Sequence, residues 1–548
     1  MRKFILSFVL LECFVLNLIA QNDPMKGQDT LVLELERNEW LPESQKFSID
    51  LPKINLNIPT SLPFVYHSDS FIHAPKIIQP HLKVEGLQKP TMERLYQGLV
   101  DISFSSLLQP NVLVNVNQGR TTSLDWGITG NYQGLYKNYV PNAKRNFVNL
   151  NTHLGWHKDI ISFQSILNLE RMGFNYFGDS TYREIQPAPD TIQSHYSVIG
   201  WNNRFTYGNQ QNGLYCQTPF SVVFYQDGWK NQELHFITEP KFTYAFVRYT
   251  IGIEGKFHQV SLDSKNTKDS RFLFAVQPYG EVKIKKLKLK MGILYSQADS
   301  LSYFVPTMEA NYQLYPKLLS VFTEIKGESS LNSFYETKRQ YPYIEGNFYR
   351  QSSITPWKIQ AGAKLNYKKI YLQGLGYYQK DNNYRIIYAH GWDDTIQNRW
   401  VQQGYLTAIY DAGAVIYGVD FSGEWNKQEN IKLVCNVNYQ KWKLQNYEYN
   451  FHQPQLRINF EAITKINKKI ELFSKISYIS DFALGYLLNN QVIKQKAVFL
   501  GNVKICFHAQ KFLDIYMGAN NLLNQKYYFL RDYQELPIHG YAGVRVLF

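Results

Sequence analysis

Two lysine ladders are the residues best placed to do chemistry. Lys286, Lys288 and Lys290 recur at every second position, and Lys358, Gln360, Lys364 and Asn366 share one parity of a second stretch. In an extended chain that spacing puts each set on one face. A row of ammonium groups along a cavity wall would create a positive field that favours anionic solutes or an acidic partner. The alternative is that these lysines are solvated near turns or paired with acids opposite them.

Other chemistry is not signalled. The sequence has no Gly-x-Ser-x-Gly elbow, His-Glu-x-x-His, Cys-x-x-Cys or Gly-Lys-Ser/Thr phosphate loop. His153 and His157 stand four apart, a helical spacing, in a segment that reads as a strand. On a strand they lie about 13 Å apart, too far to share a metal. Cys216, Cys435 and Cys506 are widely separated, which argues against a disulfide framework or a metal knuckle. No catalytic, cofactor or metal residue is assigned, no cofactor is expected, and the chain does not read as an enzyme.

The elements that carry the ladders are strands. Leu287, Leu289, Met291, Ile293 and Tyr295 alternate with Lys286, Lys288 and Lys290, and Trp357, Ile359, Ala361, Ala363, Leu365 and Tyr367 alternate with the second ladder. Ile161 to Glu170 and Asn502 to His508 repeat the pattern. Tight polar turns are expected near Gly119-Arg120, His157 to Asp159, Asn209 to Gly213, Glu239 to Val247, Ile284-Lys285, Tyr315 to Lys317, Lys368-Lys369, Asn426 to Asn430, Asn467 to Lys469 and Ala509 to Lys511. Longer loops are expected between them, at Met172 to Ser194, Gly327 to Ser353, Ala389 to Arg399, Gln445 to Gln453 and Ala483 to Lys494. Short turns at one end and long loops at the other are the pattern of a transmembrane barrel. The fold class is therefore all-β: a large antiparallel transmembrane β-barrel of about 22 strands, within a range of roughly 18 to 24.

The two chain ends agree with export. Met1-Arg2-Lys3 followed by an apolar run to Ala20 reads as a secretory signal peptide, residues 1–20. Residues 21–93 are rich in proline, which forbids long helices and central strands. This segment is expected in the periplasm or the lumen, and residues 94–548 form the barrel. The last strand sets Ala542, Val544, Val546 and Phe548 on one face, a candidate closure and assembly signal facing lipid. Aromatics at 16% with a mean hydropathy of −0.35 fit strands that are apolar on one face only. The net charge of +13 could suit nucleic acid, but an exported chain has little access to it.

The stretch Leu513 to Tyr528, with Asn520-Asn521-Leu522-Leu523-Asn524 and Lys526-Tyr527-Tyr528, resembles the penultimate hairpin of TonB-dependent receptors. The Gly540 to Phe548 strand resembles that family's last strand. Ala20-Gln21 and the Tyr/Asn-rich loops are similar to members from the Bacteroidetes group. The resemblance implies a barrel of that type in the outer membrane of a Gram-negative bacterium. It does not extend to the family's plug domain, for which the Pro-rich segment is too short. The expected function is transport across the outer membrane, alone or with a separate plug or lipoprotein subunit. The alternative is a non-conducting scaffold or assembly component, with a barrel-embedded enzyme ranked below both. Outer-membrane lipid and the barrel-assembly machinery are the other expected partners. A lumen this wide demands an occluder: the Pro-rich segment, an inward-folded loop such as Gly327 to Ser353, or a separate subunit.

Overall fold

The computed structural model describes residues 96–548, apart from 119–122, 138, 179–191, 211, 265–267, 347–349, 390–405, 428–429 and 487–490. The signal peptide and the Pro-rich segment fall outside the described residues.

One large antiparallel sheet dominates the described residues, beside two small two-stranded sheets in the connections. Strands Gln232–Thr238 and Lys241–Ala245 both pair with Asn212–Asp227 and with Tyr249–Asp263. They are one strand broken at Glu239-Pro240, where proline removes a ladder donor. The sheet therefore has 22 strands. The first, Gly98–Ser105, pairs with the last, His539–Leu547, through Val100 opposite Val546, Ile102 opposite Val544 and Phe104 opposite Ala542. The ring is closed and leaves no edge, as a sheet in hydrocarbon must.

The expected short turns that the structure describes fall at one end, while Gly119-Arg120 lies outside the described residues, as do 211 and 428–429 within two others. Asp159-Ile160, Lys285-Lys286, Lys368-Lys369 and Lys511-Phe512 each join two strands with two residues. Asp159, Lys285 and Lys368 adopt positive φ there, the backbone a tight hairpin needs. The Glu239 to Val247 expectation resolves into the break at Glu239-Pro240 and a turn at 246–248. The opposite end carries the long connections, yet not uniformly: Ala298 and Leu301 are joined by only Asp299-Ser300. Asp299 in that hairpin is a docking point for a neighbouring loop, described below.

The two faces differ as the alternation requires. Ile251, Met291, Ile293, Ile476 and Met517 point outward and are exposed. Trp156, Tyr207, Tyr315, Tyr367, Trp425 and Phe512 are also exposed and lie within a few residues of the short turns. This is an aromatic girdle of the kind that marks a membrane interface. Ala542, Val544, Val546 and Phe548 keep the parity assigned to them, alongside exposed Ile102 and Phe104 of the first strand. Among the described residues no helix is long and apolar enough to cross a membrane, which does not bear on strands.

Candidate functional site in the barrel lumen

The lysine ladders occupy the inner face, and acids meet them. Lys288 lies 3.2 Å from Glu281, and Lys290 lies 3.0 Å from Glu254, which also pairs with Lys241 at 3.0 Å. Lys286 sits in the turn, where its ammonium donates to the Leu314 carbonyl. Register runs from Lys290 to Glu309, from Glu309 to Glu324, and from Glu324 to Gln360, whose amide donates to the Glu324 carboxylate. The two ladders thus belong to one polar belt across adjacent strands. Lys358 lies opposite Lys326, Lys364 rests 5.2 Å from the Phe322 ring, and Asn366 is exposed beside a short turn. Close acids offset much of the positive field along this wall. His153 Nε2 donates to the Asp125 carboxylate at 2.9 Å, on the same inner surface as the belt.

The densest chemistry lies at the long-loop end. The connection between strands Leu319–Ser330 and Ser353–Tyr367 contains a short helix, Phe334–Gln340. Its sequence explains it: Ser333 caps the first turn by accepting from the Glu336 amide at 3.1 Å, and Lys338 and Arg339 end the last turn. The loop departs from the thirteenth strand of the ring and returns on the fourteenth. Its residues nevertheless reach the end of the fifth strand, where Phe174 packs edge-on to Tyr343 at 5.6 Å. They also reach the connection before the last strand, where Tyr533 stacks on Tyr343 at 3.8 Å. Both contacts converge on Tyr343, and each partner lies about eight strands round the ring from where the loop starts, so the loop reaches across the lumen.

Charged side chains from the wall hold it there. Glu233 is fully buried, and its carboxylate accepts from the Phe334 and Tyr335 amides at 3.0 and 2.9 Å. It also pairs with Arg350 at 3.1 Å and His235 at 3.1 Å. Arg350 reaches Asp269 at 3.2 Å, and its guanidinium covers the Phe334 ring at 4.7 Å. Arg271 bridges Asp299, at 3.0 Å, to the Asn332 carbonyl, also at 3.0 Å. Arg385 donates to Thr337 and Gln340 from another wall strand. Charge-assisted bonds of this kind are roughly twice as strong as neutral ones and fix orientation as well.

The centre of the loop is apolar, with a buried lysine among the rings. Tyr341, Tyr343 and Ile344 pack with Phe174, Tyr176, Phe177, Tyr196, Tyr225, Leu406 and Tyr533 in a single cluster. Lys338 is buried inside it and donates to the Tyr176 hydroxyl at 3.2 Å and to the Ile344 carbonyl. Burial pulls its ammonium down to about 8. The sequence offers Gly327 to Ser353 as an example of one of three candidate occluders, and singles out none of the wall residues that receive it. Their only signal was inner-face parity at the long-loop ends of strands.

No family model matches the sequence. The FrpB iron transporter from Neisseria meningitidis superposes with a TM-score of 0.65 at 10% identity, over 83% of this chain and 82% of that one. A mutant of the ferric enterobactin receptor PfeA from Pseudomonas aeruginosa gives 0.60 at 10% identity, over 82% and 80%. The ferric-catecholate import receptor Fiu from Escherichia coli gives 0.60 at 9% identity, over 83% and 82%. The architecture is that of a TonB-dependent receptor barrel. At such identities the likeness concerns the fold, and that fold matches Gram-negative outer-membrane receptors.

Proposed function

We propose that this chain is an outer-membrane transport barrel whose lumen is closed, at the long-loop end, by the described loop residues 331–346 and 350–352. One observation carries the reading: the loop spans from one side of the ring to the other and is anchored by buried charges on several wall strands. A surface loop without such a role would not need a fully buried Glu233 or a buried Lys338. The neighbours in fold are a transporter and receptors, which supports transport over catalysis. The Pro-rich segment 21–93 or a separate subunit is the other candidate occluder.

Planar-bilayer recording tests this. The full chain is expected to conduct little. A variant with residues 334–350 replaced by a short Gly/Ser linker should show large, long-lived openings, increased further when residues 21–93 are also removed. A silent barrel after both changes would sink the reading and favour a non-conducting scaffold.

A further inference from the structure

At the short-turn end, three adjacent strands bring together sulfur, nitrogen and oxygen donors. Ile505, Phe507, Ile515 and Met517 point outward and are exposed, so Cys506, His508 and Asp514 share the inner face. Register sets Asp514 opposite His508 on one side, and Glu471 opposite Cys506 on the other. The ligand atoms of Cys506, His508 and Asp514 lie within 4.8 Å of one another. His508 Nδ1 is 2.7 Å from Asp514, and its Nε2 is 3.7 Å from Glu471.

We propose that Cys506, His508 and Asp514 bind a zinc-class divalent ion, with Glu471 as the nearest further donor. An ion pair between His508 and the two carboxylates needs no thiol. The donor set of one thiolate, one imidazole and carboxylate suits zinc, whereas calcium and magnesium favour oxygen alone. Tetrahedral zinc with these ligands places donors about 3.5 Å apart, so the side chains close by about an ångström on binding. The spacing Cys506-x-His508 on a strand supports that, because alternate residues project side by side about 7 Å apart at the backbone. Binding displaces the thiol proton to solvent as the metal–sulfur bond forms.

The cations that also face Cys506 are Lys504 and Arg545. Arg545 is bound to Asp101 at 2.9 Å, and Lys504 lies 4.2 Å from the Tyr516 ring. The Cys506 thiolate and the Asp514 carboxylate together balance the charge of a divalent ion, with neutral His508 as the third donor. The bound ion would tie strand Ile470–Ile479 to Val498–Gln510 and Leu513–Asn520, the last of which is hydrogen-bonded to the closing strand.

Cobalt titration of the detergent-solubilised full chain tests the site. Heat-modifiable migration in SDS first establishes that each sample is folded. The native chain should develop a thiolate-to-cobalt charge-transfer band that zinc abolishes. Cys506→Ser should lose that band, while Cys216→Ser and Cys435→Ser keep it. Asp514→Asn and His508→Ala should weaken binding tenfold or more. The absence of a band in the folded native chain overturns the site, and so does a band that survives Cys506→Ser. Either result would leave the cluster as a hydrogen-bonded piece of wall. The readout is ion binding and does not depend on conductance.

Discussion

Arg545 on the last strand and Asp101 on the first bond across the seam where the ring closes. The guanidinium meets Asp101 Oδ2 through both Nε and a terminal nitrogen, each at 2.9 Å. Asp101 also accepts from the Tyr516 hydroxyl on the neighbouring strand. The pair sits in register, Asp101 opposite Arg545, on the inner face, with Val100, Ile102, Val544 and Val546 outward. A charge pair that joins residues 444 apart in sequence locks the register of a closure that backbone bonds alone leave free to slip by two residues.

Removing one partner should therefore weaken the seam by about 3 kcal/mol, since the remaining charge is left buried and unpaired. Arg545→Ala and Asp101→Ala should each lower the urea midpoint of the folded barrel in lipid vesicles. The reciprocal exchange, Asp101→Arg with Arg545→Asp, should recover part of the loss. Equal midpoints in all variants would show that the ladder hydrogen bonds fix the register unaided.

Glu233 is the centre of the loop's docking. Glutamine in its place keeps the size but cannot serve two amides, Arg350 and His235 with a full negative charge. Glu233→Gln should cost about 3 kcal/mol of docking. The expected outcome is protease cleavage within 331–352 on a barrel that still migrates as folded. Protection equal to the native chain would mean that the aromatic cluster around Tyr343 holds the loop without the charges.

These contacts divide what the sequence discloses from what it does not. The turns at Lys285-Lys286 and Lys368-Lys369 are legible because alternation changes phase there and polar residues interrupt it. The strand number follows from such turns. Glu233 and Phe334 are 101 apart, and nothing local to either residue records the other. Loop docking is set by the diameter of the ring and by side chains that converge only after closure. Cys506 and Asp514 are closer, but across a turn they meet only in one hairpin register, which a bulge between His508 and Gln510 adjusts. Patterning discloses the wall, and register discloses the sites upon it.

Acid should act on the loops through His452. Its Nδ1 donates to the Ile387 carbonyl at 3.1 Å, and its Nε2 accepts from the Arg531 amide at 3.3 Å. Only the neutral ring can do both, and burial lowers its pKa to about 4. A folded pKa below the unfolded one means that the unfolded chain takes up the proton first. The stability that His452 contributes is therefore present above about 6.5 and is lost as pH falls towards 4, by on the order of 3 kcal/mol. Glu535 has the opposite slope, because burial raises its carboxyl to about 8. Its contribution is present below the ordinary glutamate pKa and fades as pH rises through 8. Hydrogen exchange at the Arg531 amide, corrected for the intrinsic rate, should show easier opening at pH 4.5 than at pH 7. His452→Gln should flatten that difference, and a native amide indifferent to pH would refute the assignment.

The two faces of strand Leu287–Ala298 should respond in opposite ways to charge. Ile293 is 58% exposed on the outer face, opposite Pro306 and near exposed Phe304. An arginine there meets hydrocarbon, and the cost near the bilayer midplane is about 2–4 kcal/mol. Lys290, three residues earlier, faces the lumen and pairs with Glu254, which retains Lys241 at 3.0 Å when Lys290 is lost. Lys290→Met should then cost less than about 1 kcal/mol, as for a pair whose acid keeps another cation and access to water. Folding into vesicles of defined thickness, followed by heat-modifiable migration, reads both. Ile293→Arg should assemble poorly while Lys290→Met assembles as the native chain does. The reverse order would turn the barrel inside out relative to the faces assigned to it, and the lysine belt would then lie against lipid instead of lining a lumen.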